Sequence, residues 1–300
     1  LKFSFSGIRT HKNVNETIES FNILIIETIR AFLIKYQTCL TLSDDEVSRI
    51  ISKKDASDVL RVLLIILSSR DNKFYLIIDE YDNFANNILM HYGQQEYKKV
   101  THDVGFLRNF FAVIKEGTQE GKIDRLFITG VTPLVMADVT SGFNIGDNIS
   151  FDPTIAEING FNDEEIHLLL DYYISYDAIK KDDKNKCLDI FKEFYGQYNF
   201  SLKTRTNVYN TDMVLYFIKE YFKYNAIPDD LIDENIRTDY SKLAFLLREG
   251  DQLNGNFEIL SRVLAEGQTS GEIIKSFAIE EMKTESHFRS LLYYLGLITI

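Results

Sequence analysis

Cysteine is scarce. Cys39 and Cys187 are the only two, far apart and without a Cys-x-x-Cys or a histidine at ligand spacing. That pattern argues against a disulfide framework and against a zinc site, and it leads us to expect a reducing, cytoplasmic setting. Long apolar runs are also missing. The most apolar stretch, Phe21 to Ile34, is interrupted by Glu27 and Arg30. It falls short of the ~18 apolar residues of a spanning helix, so no membrane segment or signal peptide is expected. Positive charge is in short supply: 33 Lys plus Arg stand against 45 Asp plus Glu, for a net charge of −12. Such a surface repels a phosphate backbone at long range. A nucleic-acid partner is therefore unsupported by the net charge, while a local basic groove stays open.

Several catalytic signatures are lacking as well. The five histidines form no H-E-x-x-H, and no G-x-S-x-G elbow occurs. No Asp plus Glu-x-Lys set marks a metal-dependent nuclease within these residues. There is no G-x-x-x-x-G-K-[ST] phosphate loop; Gly142 to Asp147 has Asp where the lysine belongs, and Gly267 to Gly271 is followed by Glu272. Without the lysine and the hydroxyl, neither segment cradles phosphates by the usual mechanism.

What is present is an ordinary globular balance, 45% hydrophobic and 26% charged. Leu1, Phe3 and Phe5 alternate with polar residues as in a strand, and the chain opens inside that pattern, as a piece of a longer protein would. Asn13 with Glu16, Ser43 with Glu46 and Asn162 with Glu165 have capping-box spacing ahead of helical periodicity. Phe74 to Ile78 is a short apolar run that suits a strand buried on both faces, and Leu126 to Ile128 is a second. A helix is expected between them, from about 101 to 116. Strand, helix, strand favours a parallel sheet, because parallel neighbours need crossover connections. After a boundary near 150–160 the chain reads as mostly helical, including a helix at 240–249. We expect an α/β core over 1–158 and a helical region over 159–300.

The sharpest chemical signal is Phe74-Tyr-Leu-Ile-Ile-Asp-Glu80, a buried strand delivering two carboxylates at its carboxyl end. Ligands of open α/β sheets bind beyond the carboxyl ends of strands. Asp79 is there a candidate for organising Mg²⁺ and Glu80 for polarising a water, as in a Walker B element. The same residues also fit a strand that simply ends at a polar surface. Asp82 belongs to the same acidic group and equally suits the N-cap of a helix over about 83–92. Thr129 ends the next strand, where a hydroxyl would sense the terminal phosphate; it also fits a turn before Gly130.

Five blocks in order, FYLIIDEYD (74–82), FITGVTPLVM (127–136), TSGFNIGDNIS (140–150), LIDENIRTDY (231–240) and SLLYYLGLITI (290–300), resemble the bacterial AAA-ATPase-like family. The resemblance implies an AAA-type P-loop core with ATP and Mg²⁺ as cofactors, its Walker A loop preceding Leu1, followed by an α-helical lid or winged-helix-like region. It also implies that Asp79 and Glu80 match the Walker B pair and that Thr129 ends the sensor strand. The family is often joined downstream to a nuclease-like domain of the PD-(D/E)XK type, which this chain would stop short of. AAA-type sites often recruit arginines to the terminal phosphate; Arg237, in the LIDENIRTDY block, is the better candidate and Arg205 the other. Both also suit surface ion pairs. The expectation is an ATP-dependent switch that is inactive as this piece alone. The alternative is a non-catalytic protein- or nucleic-acid-interaction module whose acidic pair is structural.

Overall fold

In the computed structural model the chain is described at all residues except 71–72, 103–104, 140–145, 205, 234–246, 250–251, 254, 279–280, 282–283 and 300. It divides into two compact units, Leu1–Asp147 with Ala244–Tyr294, and Asn148–Leu243 with Leu295–Ile300. The first unit thus regains residues 244–294 that the sequence assigns to the second half.

The first unit is built on a three-stranded parallel sheet, β1 (Lys2–Ser4), β2 (Phe74–Asp79) and β3 (Ile123–Ile128), with β2 in the middle. Between β1 and β2 run α1 (Val14–Leu40), α2 (Asp44–Ile51) and α3 (Ala56–Ser68); between β2 and β3 run α4 (Asn83–Tyr92), α5 (Gln94–Thr101) and α6 (Phe106–Gln119). Local chemistry fixes the helix starts. Ser43 and Glu46 form a reciprocal capping box at α2, whereas the Asn13 side chain accepts from Asn15 N rather than from the residue after it. The helix expected over about 101–116 begins later, as α6 at Phe106, because α5 ends at Thr101 and the chain turns between them. Gly105 N bonds His102 O at 2.7 Å, and a Cβ at Gly105 would lie 2.3 Å from Val100 O, so the backbone turns here through a space only glycine fits.

Phe3, Leu76 and Ile78 share the buried face of the sheet. Phe3, Phe5, Phe21, Phe84 and Phe110 meet there edge to face, with Phe21 and Phe110 centroids 5.1 Å apart. Such pairs add to the apolar burial that holds α1, α4 and α6 against β1. The opposite face is bare: Tyr75 and Phe127 are 60% and 52% exposed, and Ile77 beside Phe127 is exposed too. β2 was expected to be buried on both faces; among the described residues it is covered on one.

After β3 come α7 (Leu134–Val139) and, later in the same unit, a hairpin of β4 (Arg248–Glu249) and β5 (Gln252–Leu253). The helix expected over 240–249 therefore gives way to a strand at its end, and residues 240–246 lie outside the described residues. The second unit holds α8 (Asp163–Ser175), α9 (Lys184–Ile190), which widens into a π-helical turn at Phe191–Tyr195, and α10 (Thr211–Tyr224). Asn162 and Glu165 cap α8 reciprocally, and Leu170, Phe191, Phe217 and Tyr221 are the centre of the core. The polar segment before α10 is neither a full hairpin nor a bare loop. Tyr198 bridges Val208 and Phe161 bridges Tyr209, both antiparallel. Two further helices, α11 (Gly255–Glu266) and α12 (Glu285–Tyr294), return to the first unit.

Candidate functional site

Because β2 is central and parallel to β3, the carboxyl ends of both strands finish side by side. Thr129 N donates to Ile78 O at 2.9 Å and Tyr81 N donates to Thr129 O at 3.0 Å, extending the ladder past the strands. The Thr129 hydroxyl donates to Asp79 Oδ1 at 2.7 Å, and Glu80 N approaches Thr129 Oγ1 at 3.4 Å. Asp79, Glu80 and Thr129, all chosen from the sequence, thus stand at one end of two neighbouring strands. Arg237 and Arg205 lie outside the described residues.

Asp79 has a second partner that the sequence did not suggest. Lys2 Nζ lies 2.9 Å from Asp79 Oδ2, and both side chains are partly exposed. The Lys2 ammonium, followed by the Thr129 hydroxyl, holds the Asp79 carboxyl below the usual carboxylate range. The clue was in the alternation: with Phe3 and Phe5 buried, Lys2 and Ser4 fall on the face that carries Asp79 in the paired register.

Glu80 has a left-handed backbone, with φ 54°. A non-glycine residue in that region is uncommon and costs of order 1 kcal/mol, a strain that recurs at functional turns. The turn swings Glu80 out of the strand direction, and Asn83 Nδ2 donates to its Oε2 at 3.0 Å. Asp82 begins α4 but does not cap it. Its carboxylate instead faces the loop after β3, where Val131 N and Thr132 N donate to it at 3.1 and 2.7 Å. Beside it Tyr81 is buried, and its hydroxyl donates to Thr132 O. Burial first, then the neighbouring Asp82 charge, pushes the Tyr81 phenol well above its ordinary value, so it stays a donor.

Chemically the site offers one accessible carboxylate with a hydroxyl beside it, a second carboxylate on a strained turn, and a lysine. Among the described residues no group of three or more His, Cys, Asp or Glu side chains could enclose a metal ion. A single carboxylate oxygen is a hard donor of the kind that Mg²⁺ takes beside waters and phosphate oxygens.

Residues 1–140 match the family model described as Predicted AAA-ATPase, the AAA-ATPase-like family. The match supports an AAA-ATPase-like family for this part of the chain. It takes in β1, β2, β3 and all of the site described above, while the similarity blocks at 231–240 and 290–300, and all but the first residue of the block at 140–150, fall outside it. Comparison with curated proteins and with solved structures gives no match. No helix among the described residues is long and apolar enough to cross a membrane.

Proposed function

We propose that these residues are the Walker B and sensor part of an ATP-hydrolysing molecular switch. In this reading Asp79 holds Mg²⁺, Glu80 orients the attacking water, and Thr129 monitors the terminal phosphate. No G-x-x-x-x-G-K-[ST] occurs within these 300 residues, so the reading requires a phosphate-cradling loop from outside them. One observation carries the reading: the 2.7 Å bond from Thr129 to Asp79 at the shared carboxyl end of two parallel strands. It sets a metal-type carboxylate and a phosphate-type hydroxyl side by side where α/β sheets bind ligands. The family match over residues 1–140 adds to it.

When bound, Mg²⁺ would supply neutralisation of phosphate charge. This chain's own part is to present Asp79 in ionised form, which Lys2 and Thr129 favour, and to hold Glu80 clear of the strand through its turn. Arg237 remains our proposal for a cation directed at the terminal phosphate.

One observation favours a second reading. Both Asp79 oxygens already have partners, Thr129 and Lys2, as a structural ion pair in a non-catalytic interaction module would. ATP binding and Mg²⁺-dependent turnover by the full-length protein decide between the two. A general base contributes about 10²–10⁴-fold, so Glu80→Gln should lower kcat by at least about 100-fold while ATP is still bound. A wild-type protein that neither binds nor hydrolyses ATP overturns the ATPase reading; a Glu80→Gln variant that turns over normally removes Glu80 from the chemistry.

A further inference from the structure

We infer that Asp82 is a positioning residue that sets Thr129 against Asp79, an inference that rests on the ATPase reading. Its carboxylate is 1% exposed and takes four donors from two elements. Oδ1 accepts from Val131 N at 3.1 Å; Oδ2 accepts from Thr132 N at 2.7 Å, from the Thr132 hydroxyl at 2.9 Å and from Asn86 Nδ2 at 2.8 Å. Three of these come from the loop that directly follows Thr129 and Gly130.

Thr129 is therefore held from both sides. On its strand side the ladder bonds to Ile78 and Tyr81 fix its backbone; on its loop side Asp82 fixes the next residues but one. Gly130 between them has no slack, because a Cβ there would fall 2.6 Å from Asp82 Oδ1. A buried carboxylate that loses its donors keeps its desolvation cost, so the loop does not drift while Asp82 is in place.

Asn86 shows how strongly the arrangement is specified. Its amide hydrogens serve Asp82 Oδ2 and Thr132 Oγ1 (3.2 Å), and its own Oδ1 is left buried without a partner among the described residues. The network gives up one acceptor to keep the carboxylate and the loop joined. The turn 79–82 and the loop 129–132 consequently behave as one body, and a displacement of the Thr129 hydroxyl reaches Asp79 and Glu80 directly.

The test is Asp82→Asn, which keeps the shape but turns one acceptor into a donor facing the loop amides, with Thr132→Val as a milder second variant. Two quantities are read on the full-length protein: amide exchange at residues 131 and 132, and the kcat and KM for ATP. We expect exchange at those amides to rise at least about tenfold with α3 and α6 unchanged, and kcat to fall about tenfold or more with KM within about twofold. Unchanged exchange overturns the clamp. Faster exchange with unaltered kcat reduces Asp82 to a structural residue. If Asp82→Asn loses protection everywhere, the same split in Thr132→Val decides. The wild-type protein in the same assay separates the two ideas: no ATP binding or turnover there sinks the ATPase reading and the catalytic consequence of Asp82, while the exchange data still judge the clamp.

Discussion

Replacing Gly130 by alanine should damage the first unit severely, although glycine to alanine is often harmless. The new Cβ would sit 2.2 and 2.4 Å from Tyr81 Cε1 and Cδ1 and 2.6 Å from Asp82 Oδ1, where ordinary contacts begin near 3.4 Å. Neither neighbour can step aside cheaply. Tyr81 is buried with its hydroxyl on Thr132 O, and Asp82 is tied to the amides of Val131 and Thr132. Overpacking costs about 1–3 kcal/mol. Stranding one buried hydrogen-bonding group costs a further 1–3 kcal/mol, roughly. A loss of about 2–6 kcal/mol follows, against a typical domain stability of about 5–15 kcal/mol. Urea unfolding followed by circular dichroism reads this as a lowered midpoint at constant slope. Gly146→Ala is the control, because an added Cβ there meets nothing within 4 Å. The reasoning is refuted if both variants unfold at the wild-type midpoint. Trimming the tyrosine ring as well, in Gly130→Ala/Tyr81→Ala, should cost less than the sum of the two single changes, which a double-mutant cycle measures.

Three other outcomes follow from the same coordinates. Since Glu80 has φ 54°, Glu80→Gly should be more stable than Glu80→Ala by about 1 kcal/mol, the reverse of the order inside a helix, and equal midpoints would remove the backbone strain. Asp79 has a lowered folded pKa, so its contribution is present above the ordinary carboxylate range and is lost as pH falls through the lowered value. Lys2→Met should move that titration upward toward the ordinary value in a carboxyl NMR titration, and no movement would remove Lys2 as the main cause. Cys187 is buried and desolvation raises its thiol to about 12, whereas Cys39 is exposed. A thiol reagent should therefore label one cysteine in the native protein and both in urea, and rapid native labelling of both would contradict the packing around α9.

What could be read from the sequence was what is local. The apolar run ending in Asp79 and Glu80 is a contiguous pattern, and it does end the central strand. Ser43 with Glu46 and Asn162 with Glu165 were legible for the same reason, each box lying within four residues. Thr129 could be nominated only because a second short strand suggested itself. The rest of the site is made by contacts between residues far apart in the chain. Lys2 meets Asp79, and Asp82 meets Val131 and Thr132; alternation sets the face on which Lys2 lies but not the distant strand it pairs with. Asp82 looked like an N-cap because helix starts favour aspartate, yet its side chain turned to the better donors across the sheet end. The short helices α5 and α7 went unseen because segments of this length give little periodic signal, and the helix expected from about 101 begins only after the turn at Gly105.

The uncovered side of the sheet has a consequence for handling the molecule. β3 is the last strand of its sheet, so among the described residues its outer row of amides and carbonyls has no ladder partner, and Phe127 and Tyr75 stand next to it in water. Asp124 and Arg125 guard the start of that strand, but no charged residue follows them before Asp138. Such an edge recruits strands from other molecules. Concentrated solutions of these 300 residues alone should clump through it despite the repulsion of twelve excess negative charges, and a lysine placed at Phe127 should keep them dispersed.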